Sequence, residues 1–390
     1  MLQSAAAERV LVDFFYAQPV GHAIEALHHA LAVHTAEPSR QVSVLLNAAT
    51  ATELAGCCPF LSAVYPVRAP FLQPAPGAAG SLAAVPREWD WILDDPRRHQ
   101  PVQLEMFPGM RDHYAASDRL LTARLGRRPL GHPPPTRARQ LQLRLQLPEQ
   151  AHAAVAGRLG AAPEGATVTL LPAGSGPASQ YPSTRSWLDI LDALREAHPA
   201  LRVLLVGRLA RDERTSTSIA PADLARLLEH PVVIGHEVDT PLLEQLAAVQ
   251  RSALFLAPHT GFGMAALAVG TPWLALSGGR WFEWYFNRVP FRSVVPDTTR
   301  YPCYSQLEAD RPAPDGDDGD RIPSMTRERI RADLPRLVHA ATELLAQSVD
   351  YERCLDDYVA DLVAAHGGDS SAIFSFDGVH LDHLPPGVGR

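Results

Sequence analysis

Leu254-Phe255-Leu256-Ala257-Pro258-His259-Thr260-Gly261-Phe262-Gly263-Met264-Ala265-Ala266-Leu267 is the stretch on which the reading of this chain turns. Its opening residues form a short unbroken apolar run, the pattern of a strand buried on both faces. The strand ends at Pro258, and a helix of small residues begins within a few positions. Ligands of open α/β sheets gather at the carboxyl ends of strands. A helix that starts there offers unpaired N–H groups and the positive end of its dipole. Gly261 and Gly263 lack Cβ atoms and would let the backbone approach an anion, while Thr260 adds a hydroxyl donor. His259, Thr260, Gly261, Phe262, Gly263 and Met264 are therefore candidate anion-binding positions. The same residues also suit an ordinary capped helix whose glycines serve packing.

On either side of this stretch, strand and helix patterns alternate at the spacing of βαβ units. In the second half, strands are expected at Thr167–Leu171, Leu201–Val206, Val232–Ile234, Ala253–Ala257 and Trp273–Leu276. Helices are expected from about Ser183, at Pro221–Leu228, Pro241–Val249 and Phe262–Val269, and two more at Thr326–Gln347 and Tyr351–Ala365. In the first half, Arg9–Phe15, Gln41–Asn47, Ala63–Val67 and Asp90–Leu93 read as strands, and Arg139–Leu147 alternates like another. Gly21–Ala36 and Asp112–Gly126 read as helices. Gln73–Ser81, Pro129–Thr136 and the charged stretch Arg311–Asp320 read as loops by composition. The expected organisation is an α/β protein of two Rossmann-like domains, at 1–155 and 156–345. A helix and tail at 346–390 would pack back on the first domain.

Other strand ends supply further candidates. The loop Pro172-Ala173-Gly174-Ser175-Gly176-Pro177 follows the strand at Thr167–Leu171, so Ser175 and Gly176 could contact the same anion, although a Gly-x-Gly loop alone is weak. Arg208 ends another strand and could fork onto phosphate, or be a solvated loop charge. His236 and Glu237 follow the next strand, where a carboxylate can accept from ribose hydroxyls; Glu237 would equally serve as a cap. The run Gly278–Asn287 embeds Glu283, Arg280 and Asn287 among aromatic rings, which suits sugar faces and also a core. In the first half His22 lies at a helix start after the first strand, where an imidazole can deprotonate an acceptor hydroxyl. Glu25, Asp94, Asp95 and Glu105 are rival carboxylate bases.

Composition excludes several classes. The 390 residues carry a net charge of −8 and no DNA- or RNA-reading motif, so no nucleic-acid partner is expected. All 35 basic residues are Arg, which rules out Schiff-base and P-loop lysines and leaves phosphate to Arg, hydroxyls and backbone. Cys57, Cys58, Cys303 and Cys354 form no CxxC pair, which suits a reducing cytoplasm and argues against a zinc site. No signal peptide, membrane span, metal or organic cofactor is expected.

With these motifs in place the second half resembles the ADP-heptose:lipopolysaccharide heptosyltransferase-like glycosyltransferases of family 9, which have the GT-B fold. The likeness rests on Thr260-Gly261, on Ala265-Ala266-Leu267-Ala268-Val269, and on Gly270-Thr271-Pro272. Pro172-Ala173-Gly174 with Tyr181-Pro182, and Gly21-His22 where the family has Gly-Asp, add to it. It is clear over about residues 165–280 and schematic before that. Four positions depart from the family pattern: His259 stands for Asp, Met264 for His, Gln180 for Lys, and His22 for the Gly-Asp carboxylate. The version seen here looks like actinobacterial secondary-metabolite glycosyltransferases such as those of bleomycin-type clusters. The resemblance implies two domains facing across a cleft, a nucleoside-diphosphate sugar donor, GDP- or ADP-linked, and a small natural-product or saccharide acceptor. It implies inverting, metal-independent transfer with closure over the donor. A sugar-nucleotide 2-epimerase and a catalytically silent nucleotide-binding protein of the same architecture are the rivals. A nicotinamide-dependent dehydrogenase is disfavoured, since no complete GxGxxG follows the first strand.

Overall fold

In the computed structural model, described for residues 7–15, 19–68, 81–95, 101–106, 109–127, 141–159, 166–212, 214–279, 281–283, 285, 287–302, 311–316, 319–375, 384 and 386–389, the chain forms two compact units. The first is centred on Met1–Gln146 and the second on Leu147–Ser375. Residues 73–80 and 129–136, read above as loops, lie outside the described residues, as do Cys303, Arg280, Trp284 and Phe286.

The first unit is built on β1 (Arg9–Phe14), α1 (Val20–Ala36), β2 (Gln41–Asn47), β3 (Leu61–Val67) and β4 (Trp91–Asp94), followed by α2 (Pro101–Met106) and α3 (Gly109–Leu125). All four strands are parallel, in the order β3-β2-β1-β4. β1 is buried along almost its whole length, and α1 buries Ile24, Leu27 and Val33. The segment from Leu141 to Gln146 alternates buried leucines with exposed polar residues, as a strand would, but joins no sheet. The alternation is legible in the sequence; among the described residues the segment has no ladder partner, and Gln146 N–H donates to the Cys57 carbonyl at 2.8 Å.

The second unit begins at α4 (Glu149–Leu159), a helix missed in the sequence because its Ala- and Gly-rich composition reads as a linker. Ala151 and Val155 pack against Leu204, Ala247 and Ala248, so the chain divides at 146/147 rather than 155/156. The elements then run β5 (Thr167–Leu170), α5 (Thr184–Ala197), β6 (Arg202–Leu205), α6 (Pro221–Leu228), β7 (Val233–His236), α7 (Leu242–Gln250), β8 (Leu254–Pro258), α8 (Gly261–Ala268), β9 (Trp273–Leu276) and β10 (Phe291–Val294). α9 (Arg327–Leu345) and α10 (Tyr351–Ala365) follow. α10 packs within this unit against Phe291 and Phe282 through Tyr358. The Arg311–Asp320 stretch is not wholly a loop, for Ala313–Pro314 pairs antiparallel with Asp320–Arg321.

The six strands of the second sheet are parallel, in the order β10-β9-β8-β5-β6-β7. β6 and β7 step away from β5 on one side, and β8, β9 and β10 on the other. The β5/β8 junction is thus the topological switch point, where helices leave to opposite faces and a crevice opens at the carboxyl ends. β8 occupies this centre and all five of its residues are buried.

Candidate functional site

The turn after β8 is made by its helix cap. Thr260 holds an extended backbone, and its hydroxyl accepts from Gly263 N–H at 3.3 Å, while its carbonyl takes the same N–H at 3.0 Å. By helical geometry the N–H groups of Gly261 and Phe262 have no intrahelical acceptor and remain at the open end. Gly261 and Phe262 are half-buried; Gly263 and Met264 are buried. At Gly263 the packing alternative has direct support: a Cβ there would lie 2.2 Å from Cζ2 of Trp273. Its hydrogen makes room for the indole. Phe262 packs on Phe255 with ring centroids 5.5 Å apart.

The loop after β5 meets this turn. A Cβ on Gly174 would lie 2.6 Å from the Tyr181 hydroxyl and 3.0 Å from Thr260 Cγ2, so the loop backbone reaches the Thr260 and Tyr181 side chains closely because residue 174 is glycine. Tyr181, from the aromatic-Pro motif, accepts from Gly176 N–H at 2.9 Å, and burial pushes its phenol above the ordinary range. Ser175 stands exposed at the tip. The segment after β6 clasps the loop from the other side: Ser218 N–H donates to Gly174 carbonyl at 2.8 Å and the Ser218 hydroxyl donates to Gly176 carbonyl.

Arg208 follows β6 at the same sheet end. Its backbone N–H donates to Thr217 Oγ1 at 3.0 Å, and its guanidinium pairs with Asp212. Both side chains are partly exposed, and such a pair contributes little, so the guanidinium can be redirected. Residues at the end of β7 fare differently. His236 is the last residue of the strand rather than following it, is exposed, and accepts from Val238 N–H at 3.3 Å. Glu237 is 1% exposed and both its oxygens are held by Arg158, at 2.6 to 3.1 Å. The expectation that Glu237 accepts from ribose is thereby corrected, since α4 supplies it with a guanidinium. Asp239, missed in the sequence, faces the β6 end instead, taking Leu209 and Ala210 N–H at 2.8 and 2.9 Å. Its left-handed backbone, with φ of 63°, is the signal an Asp in a turn can give.

His259 sits between the Thr260 turn and the interior. It stacks on Trp273, centroids 5.6 Å apart, and its Nδ1 lies 3.6 Å from the buried Glu283 carboxylate.

In the first unit the same logic applies at the β1/β4 junction, its own switch point. Asp13 and Asp94 are register partners, both nearly fully buried, and Asp95 is 0% exposed with its carboxylate taking Tyr114 OH at 3.1 Å. Glu25 is buried within α1, and Glu105 is exposed on α2, off the strand ends. His22 is half-buried in the first turn of α1, its N–H on Pro19 carbonyl at 3.1 Å. The described residues hold no group of three His, Cys, Asp or Glu able to bind a metal. None of the described helices is long and apolar enough to cross a membrane.

No protein-family model and no curated protein matches the chain. Solved structures do. A family 9 glycosyltransferase from Veillonella parvula DSM 2008 superposes with a TM-score of 0.54 at 13% identity, over 87% of this chain and 97% of that one. The ADP-heptose lipopolysaccharide heptosyltransferase II of E. coli gives 0.53 at 14% identity, over 85% and 98%. The fold is GT-B. A glycotransferase of kitacinnamycin aligns over 92% of the chain, at 15% identity and a TM-score of 0.39, too distant to bear on the acceptor. The bleomycin-type likeness is not supported further.

Proposed function

We propose that the chain is a glycosyltransferase that takes a nucleoside-diphosphate sugar at the β5/β8 crevice of its second unit. The observation that carries this reading is the closure of the Gly174–Gly176 loop onto the Thr260–Gly263 turn at the switch point of a GT-B sheet. Gly261 and Phe262 N–H groups, Ser175, Gly176 and a redirected Arg208 would hold the diphosphate. They would also stabilise the charge that develops on it as the glycosidic bond breaks. His236 stands three strands from β8, about 14 Å at the usual spacing, which suits contact with the nucleoside. Phe262 and Met264 line and support the turn. The donor is GDP- or ADP-linked and the acceptor is a hydroxyl of a small natural product or saccharide. Transfer is inverting and needs no metal, the charge being met by backbone, hydroxyls and Arg.

In the first unit His22 is the acceptor base. It pairs a strand-end position with access, whereas Asp94, Asp95 and Glu25 are buried and Glu105 lies off the strand ends. His22→Ala is expected to cut turnover ~10²–10⁴-fold, with donor affinity unchanged in calorimetry. Turnover at the wild-type rate rules the assignment out. The test itself is mass-spectrometric detection of glycosylated product and free nucleoside diphosphate, from a panel of nucleotide sugars with hydroxyl acceptors. An epimerised sugar nucleotide without acceptor points instead to the 2-epimerase reading, and binding without any turnover to a silent nucleotide-binding protein.

A further inference from the structure

Behind the anion seat lies a buried acid that the reading above leaves unused. The Glu283 side chain is 0% exposed. One carboxylate oxygen accepts from Tyr285 OH at 2.7 Å, while the other has no hydrogen bond among the described residues. That second oxygen lies 3.6 Å from His259 Nδ1, an ion-pair distance rather than a hydrogen bond. The His259 ring is fixed on its other sides. It stacks on Trp273 with planes 17° apart and meets Tyr285 edge-on at 5.9 Å. An indole face at that distance favours a cationic ring. His259 is also the residue immediately before the Thr260 cap, and 22% of its side chain reaches solvent there.

Other groups among the described residues also face Glu283. Tyr285 shares its hydroxyl with Ser293 at 2.9 Å. Tyr358, from α10, accepts from Glu283 N–H at 3.0 Å and donates to Trp281 carbonyl. Ser277 follows β9 and stands close enough to the carboxylate to favour its charged form. Arg329, from α9, is buried and divides its charge with Asp333 at 2.9 Å. Burial dominates the balance: it pushes the Glu283 carboxyl up to about 8, against the opposing pull of Tyr285, Ser277 and Arg329. A glutamine would accept the Tyr285 hydrogen bond equally well, so packing alone does not call for an acid. What an acid adds is a proton shared with the neighbouring imidazole. An anion bound at the turn favours the arrangement with that proton on the ring and the charge on Glu283.

We propose that Glu283 is a positioning residue for His259, holding the Nδ1 edge inward and keeping a proton on the pair, so that the donor diphosphate meets an imidazolium at the turn. The inference rests on the proposed diphosphate seat and adds its charge logic. A cation in this place fits a chain without lysine, in which the guanidinium of Arg208 starts out paired with Asp212.

The experiment is calorimetric titration of ADP, GDP, UDP and dTDP into wild type, His259→Gln and Glu283→Gln across pH. Ionisation of the nucleotide's own phosphate is common to all three proteins and cancels in the comparison. Wild-type affinity is expected to fall as pH rises past the point where the pair loses its proton. In Glu283→Gln that fall moves down by about one pH unit or more, giving roughly tenfold weaker binding just above neutrality and near-equal binding in mild acid. His259→Gln lacks the step. A Glu283→Gln profile that superposes on wild type overturns the positioning role while leaving the seat intact. Absence of binding to wild type at every pH sinks the seat itself. Should Glu283→Gln fail to fold, the His259 ring proton signal of wild type, assigned against His259→Gln, decides the matter. With nucleoside diphosphate bound at neutral pH a charged ring is expected, and a neutral ring overturns the proposal.

Discussion

At the residue scale the instructive position is Gly263. In the sequence it looks like half of a glycine pair cleared for an anion; in the structure its missing Cβ is space filled by Trp273. The two purposes make different predictions. Gly263→Ala forces the indole to shift and is expected to lower unfolding stability by about 1–3 kcal/mol, read as a drop in melting temperature without nucleotide. An unchanged melting temperature would show that the indole has room. Gly174 is the reverse case: nothing in Pro-Ala-Gly-Ser-Gly-Pro reveals that its hydrogen faces Thr260 and Tyr181, because that approach is a long-range fact of the β5/β8 pairing. Glu237 could not be judged from sequence either. Its partner Arg158 comes from a helix far upstream, in a segment whose composition suggests a linker.

At the element scale the strongly periodic parts are legible in the sequence, and the reasons are plain. β8 is a central strand with both faces covered, so it reads as unbroken apolar sequence. α10 begins at an Asp350 cap and runs Tyr351–Ala365, the span its periodicity suggests. Short edge pieces are not legible: β10 carries only four residues, two of them half-buried, and gains its identity from pairing with β9. Packing between elements carries its own prediction. Asp189 on α5 is held by Arg327 and Arg331 on α9, and the Arg327 hydrogen bonds in particular lower its carboxyl to about 2. Its folded pKa is depressed, so the stabilisation is present above the unfolded value of about 3.9 and is lost as pH falls toward 2. Asp189→Asn is expected to cost about 1–2 kcal/mol near neutral pH, the partly exposed setting having been discounted. The difference from wild type should shrink steadily below about pH 4 and be mostly gone by about pH 2 in denaturant melts. A difference that persists unchanged at low pH would place the effect in packing rather than charge.

At the scale of the whole molecule, two parallel sheets follow from the alternation of strand and helix along the chain, while the strand orders that put the switch points at β1/β4 and β5/β8 are settled by the pairing itself. The division at 146/147 does not follow from it, because α4 joins the second unit through side chains of Leu204, Ala247 and Ala248 that are distant in sequence. The central claim is that the crevice at β5/β8 holds a nucleoside diphosphate. Its most direct test is calorimetric titration of ADP, GDP, UDP and dTDP into wild type and into Ser175→Asp, a change at an exposed loop tip. The expected result is saturable binding of at least one of the four nucleotides to wild type. The added carboxylate should weaken it about tenfold or more by charge repulsion, the loss shrinking as salt is raised. Equal affinity in both proteins, or no binding to wild type, would contradict the assignment.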